Sequence, residues 1–169
     1  MRPTGTVAAA DASPRFVEAI VNLNLLAPLW CAQSAHKVMA VQEDGGAIVN
    51  VSSVSGMRPS PGASAYGAAK AGLINLTATL ALEWAPLVRV NCVTAGLLDT
   101  GAGDDFYGGP EGMERAAATV PLGRMGTPQD VARACLFLAS PAASYVSGAN
   151  LVLHGGGELP EYLRAQGEA

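Results

Sequence analysis

A tyrosine and a lysine, Tyr66 and Lys70, stand four residues apart in a segment whose apolar residues recur at helical spacing. Residues four apart share one face of a helix, so the sequence predicts a phenol beside an ammonium. An ordinary tyrosine titrates near pH 10, and proton exchange near neutrality needs a fall of roughly 3 units, or about 4 kcal/mol. A positive charge about 4 Å away, at an effective dielectric constant near 20, supplies an energy of that size. The pair predicts acid–base chemistry on an alcohol or a ketone, and a chance pair of surface residues is the alternative.

Two serines follow the apolar run 47–51, and the second of them, Ser53, lies thirteen residues before Tyr66. A near-continuous apolar run of this length is typical of an interior strand in a parallel sheet. A hydroxyl at the end of such a strand can hydrogen-bond a substrate oxygen and stabilise the charge that develops on it. Ser52 competes with Ser53 for this role.

The elements that would hold these residues alternate between helix and strand. Ser13 and Pro14 open a helix over 14–41, which Pro28 should kink or interrupt. A helix around Tyr66 should end at Pro86, and Thr127 is a good N-cap for a helix that ends near residue 139. Strands are predicted at 47–52, 87–93 and 149–154. This order predicts an α/β fold with right-handed parallel units.

Composition indicates one unit of ordinary globular character. The chain has 169 residues, is 50% hydrophobic and 14% charged, and carries a net charge of −4. The ten cationic residues are scattered, so no basic stripe indicates a nucleic-acid partner. No apolar run reaches about 18 residues and no secretory signal is recognisable, so we predict a cytoplasmic protein without a membrane span. The three cysteines, Cys31, Cys92 and Cys135, are far apart in apolar surroundings and predict buried thiols, with neither a metal site nor a disulfide.

Several further segments complete a pattern that resembles the classical short-chain dehydrogenase/reductase family. The resemblance covers almost everything after residue 13, so we predict a flexible tail at 1–12 and a single partial Rossmann-like domain at 13–169. It rests on Asn24 within 21–26, on 49–53 with Ser53, on 66–72 with Tyr66 and Lys70, and on the segments 89–96, 121–132 and 146–150. The thirteen-residue spacing from Ser53 to Tyr66 matches the family, which favours Ser53 over Ser52. Asn22 is the alternative to Asn24.

The resemblance implies roles for these residues. Tyr66 would be the general acid or base, Lys70 would lower its pKa and hold the nicotinamide ribose, and Ser53 would bind the substrate oxygen. Asn24 would hold a water that links Lys70 to solvent. NAD or NADP would be the cofactor, contacted by Tyr66, Lys70, Gly96, Leu98 and Thr100. The substrate would be a small alcohol or carbonyl compound, and the helices 14–41 and 66–85 would pair in a homo-oligomer.

The sequence also departs from the family pattern. It has no glycine-rich phosphate turn after an apolar strand, so the N-terminal strand–helix units that hold the adenosine half are expected to be missing. Ala95 replaces the usual proline before Gly96, and His154 replaces the usual aspartate after the last strand. We expect packing rather than catalysis from His154, and a solvated or interface role for His36. The segment 100–121, with Asp104, Asp105, Phe106 and Tyr107, would form a substrate lid. The alternative function is a non-catalytic remnant that acts through oligomerisation.

Overall fold

The fold is built on a parallel sheet of three strands, given by a computed structural model that describes residues 6–101 and 107–158. The strands are β1 (Gly46–Ser53), β2 (Val88–Ala95) and β3 (Asn150–Leu153), and their order in the sheet is β1-β2-β3. Gly46 pairs with Val88 and Ser53 with Ala95, while Cys92 pairs with Asn150. All three strands therefore end at the same edge of the sheet. The predicted strands are confirmed, with boundaries that differ by one or two residues.

Helices cover both faces of this sheet. They are α1 (Pro14–Val21), α2 (Ala27–Met39), α3 (Ser64–Glu83), α4 (Gly109–Ala117) and α5 (Pro128–Ala139). On one face, Val88 and Val90 of β2 pack with Leu80 of α3 and Ala32 of α2. On the other face, Val93 packs against Leu138 of α5. The predicted α/β architecture, a parallel sheet with flanking helices, is confirmed.

Local capping explains where two of these helices begin. The Ser13 side chain accepts a hydrogen bond from the Phe16 backbone N–H at 3.2 Å, and Pro14 follows in the first turn of α1. Thr127 accepts from the Asp130 N–H at 3.2 Å, and the Asp130 carboxylate accepts from the Thr127 N–H at 2.9 Å. This reciprocal capping box satisfies two backbone donors that a helix start leaves free. Both predicted N-caps are confirmed.

The long N-terminal helix is interrupted in the turn immediately before Pro28. A π-helical segment, Asn22–Leu26, separates α1 from α2, and the Ala27 N–H bonds to the Asn22 carbonyl. Pro28 follows directly, in the first turn of α2. A proline inside a helical run has no N–H to donate, and its ring crowds the carbonyl four residues earlier, which here is that of Asn24 in the π segment. The predicted interruption at Pro28 is confirmed, and the helical run ends at Met39 rather than at residue 41.

The cysteine prediction is only partly correct. Cys92 is buried in β2, whereas Cys135 on α5 is half-buried and Cys31 on α2 is exposed. Cys31 differs because its neighbour Ala32, at 4% exposure, is the α2 residue that faces the core. All three are free thiols in the structure.

By length and composition alone, the helical run Pro14–Met39 could cross a membrane. The run has 26 residues, and an 18-residue window within it has a mean hydropathy of 1.2 and is 11% buried. One such helix is weak evidence, because core helices of soluble proteins pass the same test.

Some predictions fall partly or wholly outside the described residues. Residues 1–5 of the predicted tail lie there, and so do Asp104, Asp105 and Phe106 of the predicted lid. Within the described part, the Val7 N–H donates to the Gly62 carbonyl at 2.8 Å, and α4 occupies the second half of the lid segment.

Candidate active site

Tyr66 and Lys70 lie on one face of the N-terminal half of α3. Both side chains are half-buried, and the Lys70 Nζ lies 5.7 Å from the centroid of the Tyr66 ring. The helical arrangement predicted from their spacing is present, and it places an ammonium within the range of a cation–π contact. The phenol therefore lies in the electrostatic field of a fixed positive charge.

The Lys70 ammonium is held by strand β1. Its Nζ donates a hydrogen bond to the Val51 carbonyl at 2.9 Å. Burial lowers the pKa of Lys70, and the neighbouring Cys92 opposes this shift. Burial penalises the charged form of an amine, so a lowered pKa is the expected direction. The same burial raises the pKa of the Cys92 thiol, more than its hydrogen bonds and Lys70 lower it.

The two serines at the end of β1 have different environments. Ser52 is 3% exposed, and its hydroxyl donates to the Lys70 backbone carbonyl at 2.9 Å. Ser53 is half-buried, and its Oγ accepts a hydrogen bond from the Ser55 N–H at 3.2 Å. Because Ser53 accepts in that contact, its own hydroxyl hydrogen can be donated to another oxygen. Ser53 is thus suited to meet a ligand, and Ser52 to hold the helix.

A close backbone approach fixes the loop after β1 against α3. The short 3₁₀ turn Val54–Gly56 follows Ser53 directly. A Cβ at Gly56 would stand 2.7 Å from the Ala71 nitrogen and from the Lys70 carbonyl carbon. Real Cβ atoms do not come this close to backbone, so only glycine permits this packing. The end of β1 and the Tyr66–Lys70 face are therefore tied to each other through Gly56.

Asn24 lies within the π-helical segment, and the two candidate asparagines differ in exposure. The Asn24 Nδ2 donates to the Ile20 carbonyl at 3.0 Å, and its side chain is half-buried. Asn22 is exposed. The segment packs on α3, where a Cβ at Gly72 would stand 3.2 Å from Leu25. Asn24, the half-buried asparagine, therefore lies within the π-helical segment, next to the helix that carries Tyr66 and Lys70.

The segment after β2 contains the predicted cofactor contacts Gly96, Leu98 and Thr100. A Cβ at Gly96 would stand 2.7 Å from the Cβ of His154, so glycine is required for β2 to pass the end of β3. Leu98 forms a parallel bridge with Gly126 through the Leu97 carbonyl and the Asp99 N–H. Successive backbone groups point in alternate directions in extended chain, so the amide groups of Leu98 itself point away from Gly126. Thr100 follows as an exposed residue.

A cavity of about 200 Å³ lies beside this segment, at the ends of β2 and β3. It is lined by apolar and charged side chains, among them Leu97, Leu122, Leu153, His154, Arg124 and Asp130. The Arg124 Nη1 donates to the Asp130 carboxylate at 2.7 Å. This contact, followed by those with Thr127, holds the pKa of Asp130 well below its usual range. The charges in the cavity wall are thus already paired with each other.

Sequence reasoning missed two contacts of this site. Neither the bond from Lys70 to the Val51 carbonyl nor the bond from Ser52 to the Lys70 carbonyl was predicted. Both use backbone carbonyls, which every residue carries, so no residue type marks them in the sequence. Only the adjacent Ser52–Ser53 pair gave a signal that one of the serines has a structural role.

The fold and the site define a Rossmann-like α/β protein, with a Tyr-x-x-x-Lys helix packed against its parallel sheet. The family described as enoyl-(acyl carrier protein) reductase matches residues 3–158. The chain is 43% identical over 141 residues to 4-formylbenzenesulfonate dehydrogenase TsaC1/TsaC2 of Comamonas testosteroni, covering 81% of this chain and 56% of that protein. It is 40% identical over 141 residues to a 3-oxoacyl-(acyl-carrier-protein) reductase FabG of Thermotoga maritima, covering 82% and 56%.

Solved structures give the same result. An oxidoreductase of the short-chain dehydrogenase/reductase family from Burkholderia thailandensis superposes with a TM-score of 0.88 at 32% identity, covering 98% of this chain and 67% of that one. A 4-hydroxyisoleucine dehydrogenase mutant complexed with NADH and succinate gives a TM-score of 0.83 at 29% identity, covering 90% and 63%. The chain belongs to the short-chain dehydrogenase/reductase family. It spans about half the length of the curated relatives that it matches.

Proposed function

We propose that this chain carries the acid–base site of an NAD(P)-dependent oxidoreductase that interconverts an alcohol and a ketone. The observation that carries the proposal is the Lys70 Nζ at 5.7 Å from the Tyr66 ring centroid, on a helix packed against the end of β1. A fixed cation beside a phenol favours the phenolate, so Tyr66 can release and recover a proton at its Oη. The names of the relatives, which are dehydrogenases and reductases, support this class of reaction.

Each residue has one task in this proposal. Tyr66 gives its proton to a carbonyl oxygen in reduction and takes one from an alcohol in oxidation. Ser53 donates its hydroxyl hydrogen to the same oxygen and stabilises charge there. Lys70 supplies a positive charge beside the phenol and returns the proton toward solvent. Asn24, in the π turn, orients a water on that return path.

A nicotinamide cofactor fits the residues of this site in part. The half-buried Lys70 ammonium is a donor suited to ribose hydroxyls, and the Leu98 amide groups, which point away from the Gly126 bridge, suit a carboxamide. Gly96 and Thr100 flank that contact. When bound, the cofactor supplies or accepts the hydride. NAD and NADP both remain candidates, and two solved relatives contain NADH.

The partners proposed are a small alcohol or carbonyl compound and a second copy of the chain. Large apolar side chains lie exposed on the helices 14–41 and 66–85, at Leu23, Trp30, Val38 and Leu82, with exposures of 54%, 54%, 58% and 83%. Apolar surface of this kind is typical of protein interfaces. A homo-oligomer that pairs these helices would cover this apolar surface. We also propose that the protein is cytoplasmic.

The same apolar surface supports the second candidate, a non-catalytic member of the family that acts only by association. The two candidates differ in whether the Tyr66 hydroxyl matters. Turnover of a panel of small ketones and aldehydes would be followed by the absorbance of NADH or NADPH, for the chain and for its Tyr66→Phe variant. The fully exposed Tyr145, replaced in Tyr145→Phe, is the matched control.

The catalytic proposal expects a loss of about 100-fold or more in kcat for Tyr66→Phe and no loss for Tyr145→Phe. Retention of more than a tenth of the activity by Tyr66→Phe would refute the role of the phenol. Complete absence of turnover with every carbonyl, at concentrations of NADH and NADPH well above the dissociation constant of about 1 mM that is expected for this chain, would favour the associating protein.

A further inference from the structure

Lys70 is held at both of its ends by two consecutive residues of β1. The Val51 carbonyl accepts the bond from the ammonium at 2.9 Å, and the Ser52 hydroxyl donates to the Lys70 backbone carbonyl at 2.9 Å. The strand therefore contacts both the base of this side chain and its tip.

The strand register explains why two neighbouring residues reach opposite ends of Lys70. The Gly46 N–H donates to the Leu87 carbonyl of the chain that enters β2, so the backbone groups of even-numbered residues in β1 point toward β2. Those of odd-numbered residues point to the outer edge, because the direction alternates along a strand. The Val51 carbonyl accordingly projects from the outer edge of β1, where the Lys70 ammonium meets it.

The Ser52 side chain lies on the face of the sheet that carries α3, together with the Asn50 side chain. The Asn50 Nδ2 donates to the Thr77 Oγ1 at 2.9 Å, and Thr77 lies seven residues, or two turns, after Lys70. Two strand residues thus bond to α3 two turns apart. These bonds fix how far along the sheet the helix sits, and this distance determines where the Lys70 side chain begins.

We propose that Ser52 is the positioning residue for Lys70: its hydroxyl holds α3 at the height from which the ammonium reaches both the Val51 carbonyl and the Tyr66 ring. The effect of Ser52 on turnover rests on the proposed function. The contact between Ser52 and Lys70 does not rest on it, because this contact involves neither cofactor nor substrate. In Ser52→Ala the Lys70 carbonyl keeps its bond within the helix, so the helix persists while its anchor is lost.

The test uses the complete chain and follows the two lysines that it contains, Lys37 and Lys70. Trace acetylation with acetic anhydride at a series of pH values, read by mass spectrometry, gives the titration of each amine without modifying most molecules. Lys37 is exposed at the end of α2 and serves as the internal standard. In Ser52→Ala, Lys70 should be acetylated as a freer amine, with its titration moved to higher pH, because burial lowers its pKa in the intact site. The Lys37 titration should not move.

Three further variants complete the test. Ser52→Thr keeps the hydroxyl and should restore the Lys70 titration, whereas Ser52→Val has nearly the same shape without the hydroxyl and should not. The pair also decides the matter if Ser52→Ala fails to fold. Ser34→Ala removes a serine-to-carbonyl bond of the same length that lies within α2, from the Ser34 hydroxyl to the Trp30 carbonyl at 2.9 Å, and should leave Lys70 unchanged. An unchanged Lys70 titration in Ser52→Ala, or equal behaviour of the Thr and Val variants, would overturn the proposal. Absence of turnover would bear only on the proposed function.

Discussion

Arg89 gives the sharpest stability prediction, because one side chain joins three parts of the fold. Its Nη1 donates to the Leu138 carbonyl at 2.9 Å and to the Val146 carbonyl at 3.1 Å, and its Nη2 donates to the Ser140 carbonyl at 3.3 Å. Leu138 lies in the last turn of α5, where carbonyls have no helical donor. The guanidinium on β2 therefore caps α5 and holds the segment that leads into β3.

The magnitude follows from these three bonds. A hydrogen bond to a charged group contributes about 1.5–3 kcal/mol. The bonds share one half-buried side chain, and water can replace part of what is lost. We therefore expect Arg89→Met to lower the free energy of unfolding by about 3 kcal/mol, with the loss coming from the bonds because Met keeps most of the apolar stem. Arg89→Lys should recover part of it through a single ammonium.

Urea unfolding followed by tryptophan fluorescence at a fixed chain concentration measures these differences. Arg133→Met is the control. Arg133 lies on α5, the helix that Arg89 caps, but its side chain is 80% exposed and its Nη1 lies 3.8 Å from the Asp130 Oδ1. An exposed ion pair of this kind should change stability by less than about 0.5 kcal/mol. A loss below about 1 kcal/mol for Arg89→Met, or a loss as large for Arg133→Met, would refute the capping argument.

Three other outcomes are expected. NADH and NADPH should bind the chain alone with a dissociation constant of about 1 mM or weaker, because its sequence has no glycine-rich phosphate turn; micromolar binding in calorimetry would contradict this. The Asp130 carboxyl, with its pKa lowered mainly by Arg124, contributes stability that is fully present above about pH 4 and is lost as the pH falls through its lowered pKa. The difference in the free energy of unfolding between the chain and Asp130→Asn should therefore become smaller under acid conditions. A difference that does not depend on pH would exclude this link between the Asp130 carboxyl and stability. The outer edge of β1 should template association, so light scattering should show oligomers at high chain concentration; in dilute solution, where this edge is unpaired, amide exchange should be slow at even-numbered and fast at odd-numbered residues of β1. A stable monomer with uniform protection along β1 would show that this edge is covered.

Local signals in the sequence were sufficient for the elements and for most of the candidate site. The apolar runs predicted all three strands, since helices cover both faces of a parallel sheet and its strands are apolar on both sides. Ser13 and Thr127 marked helix starts, because their side-chain oxygens satisfy N–H groups that lie only three residues away. The spacing of Tyr66 and Lys70 placed both on one helix face, because that geometry depends on the helix alone.

Other features depended on contacts between distant parts of the chain. Pro28 predicted an interruption of the helix, but not its form, a π-helical segment at Asn22–Leu26 that packs on α3 at Gly72. Cys31 resembles Cys92 in its apolar neighbours, yet it is exposed. Its exposure depends on how α2 is rotated against the sheet, and the neighbours of a residue in the sequence do not determine this rotation.

What the sequence by itself determined is the order of strands and helices, their caps and the shared helix face of Tyr66 and Lys70. Each of these follows from periodicity or from hydrogen bonds between near neighbours. The tertiary structure decided the different environments of Ser52 and Ser53, and it decided that the Lys70 ammonium lies on the Val51 carbonyl. Those results depend on strand register and on the position of α3 along the sheet, and backbone carbonyls that accept such bonds look the same at every position of a sequence.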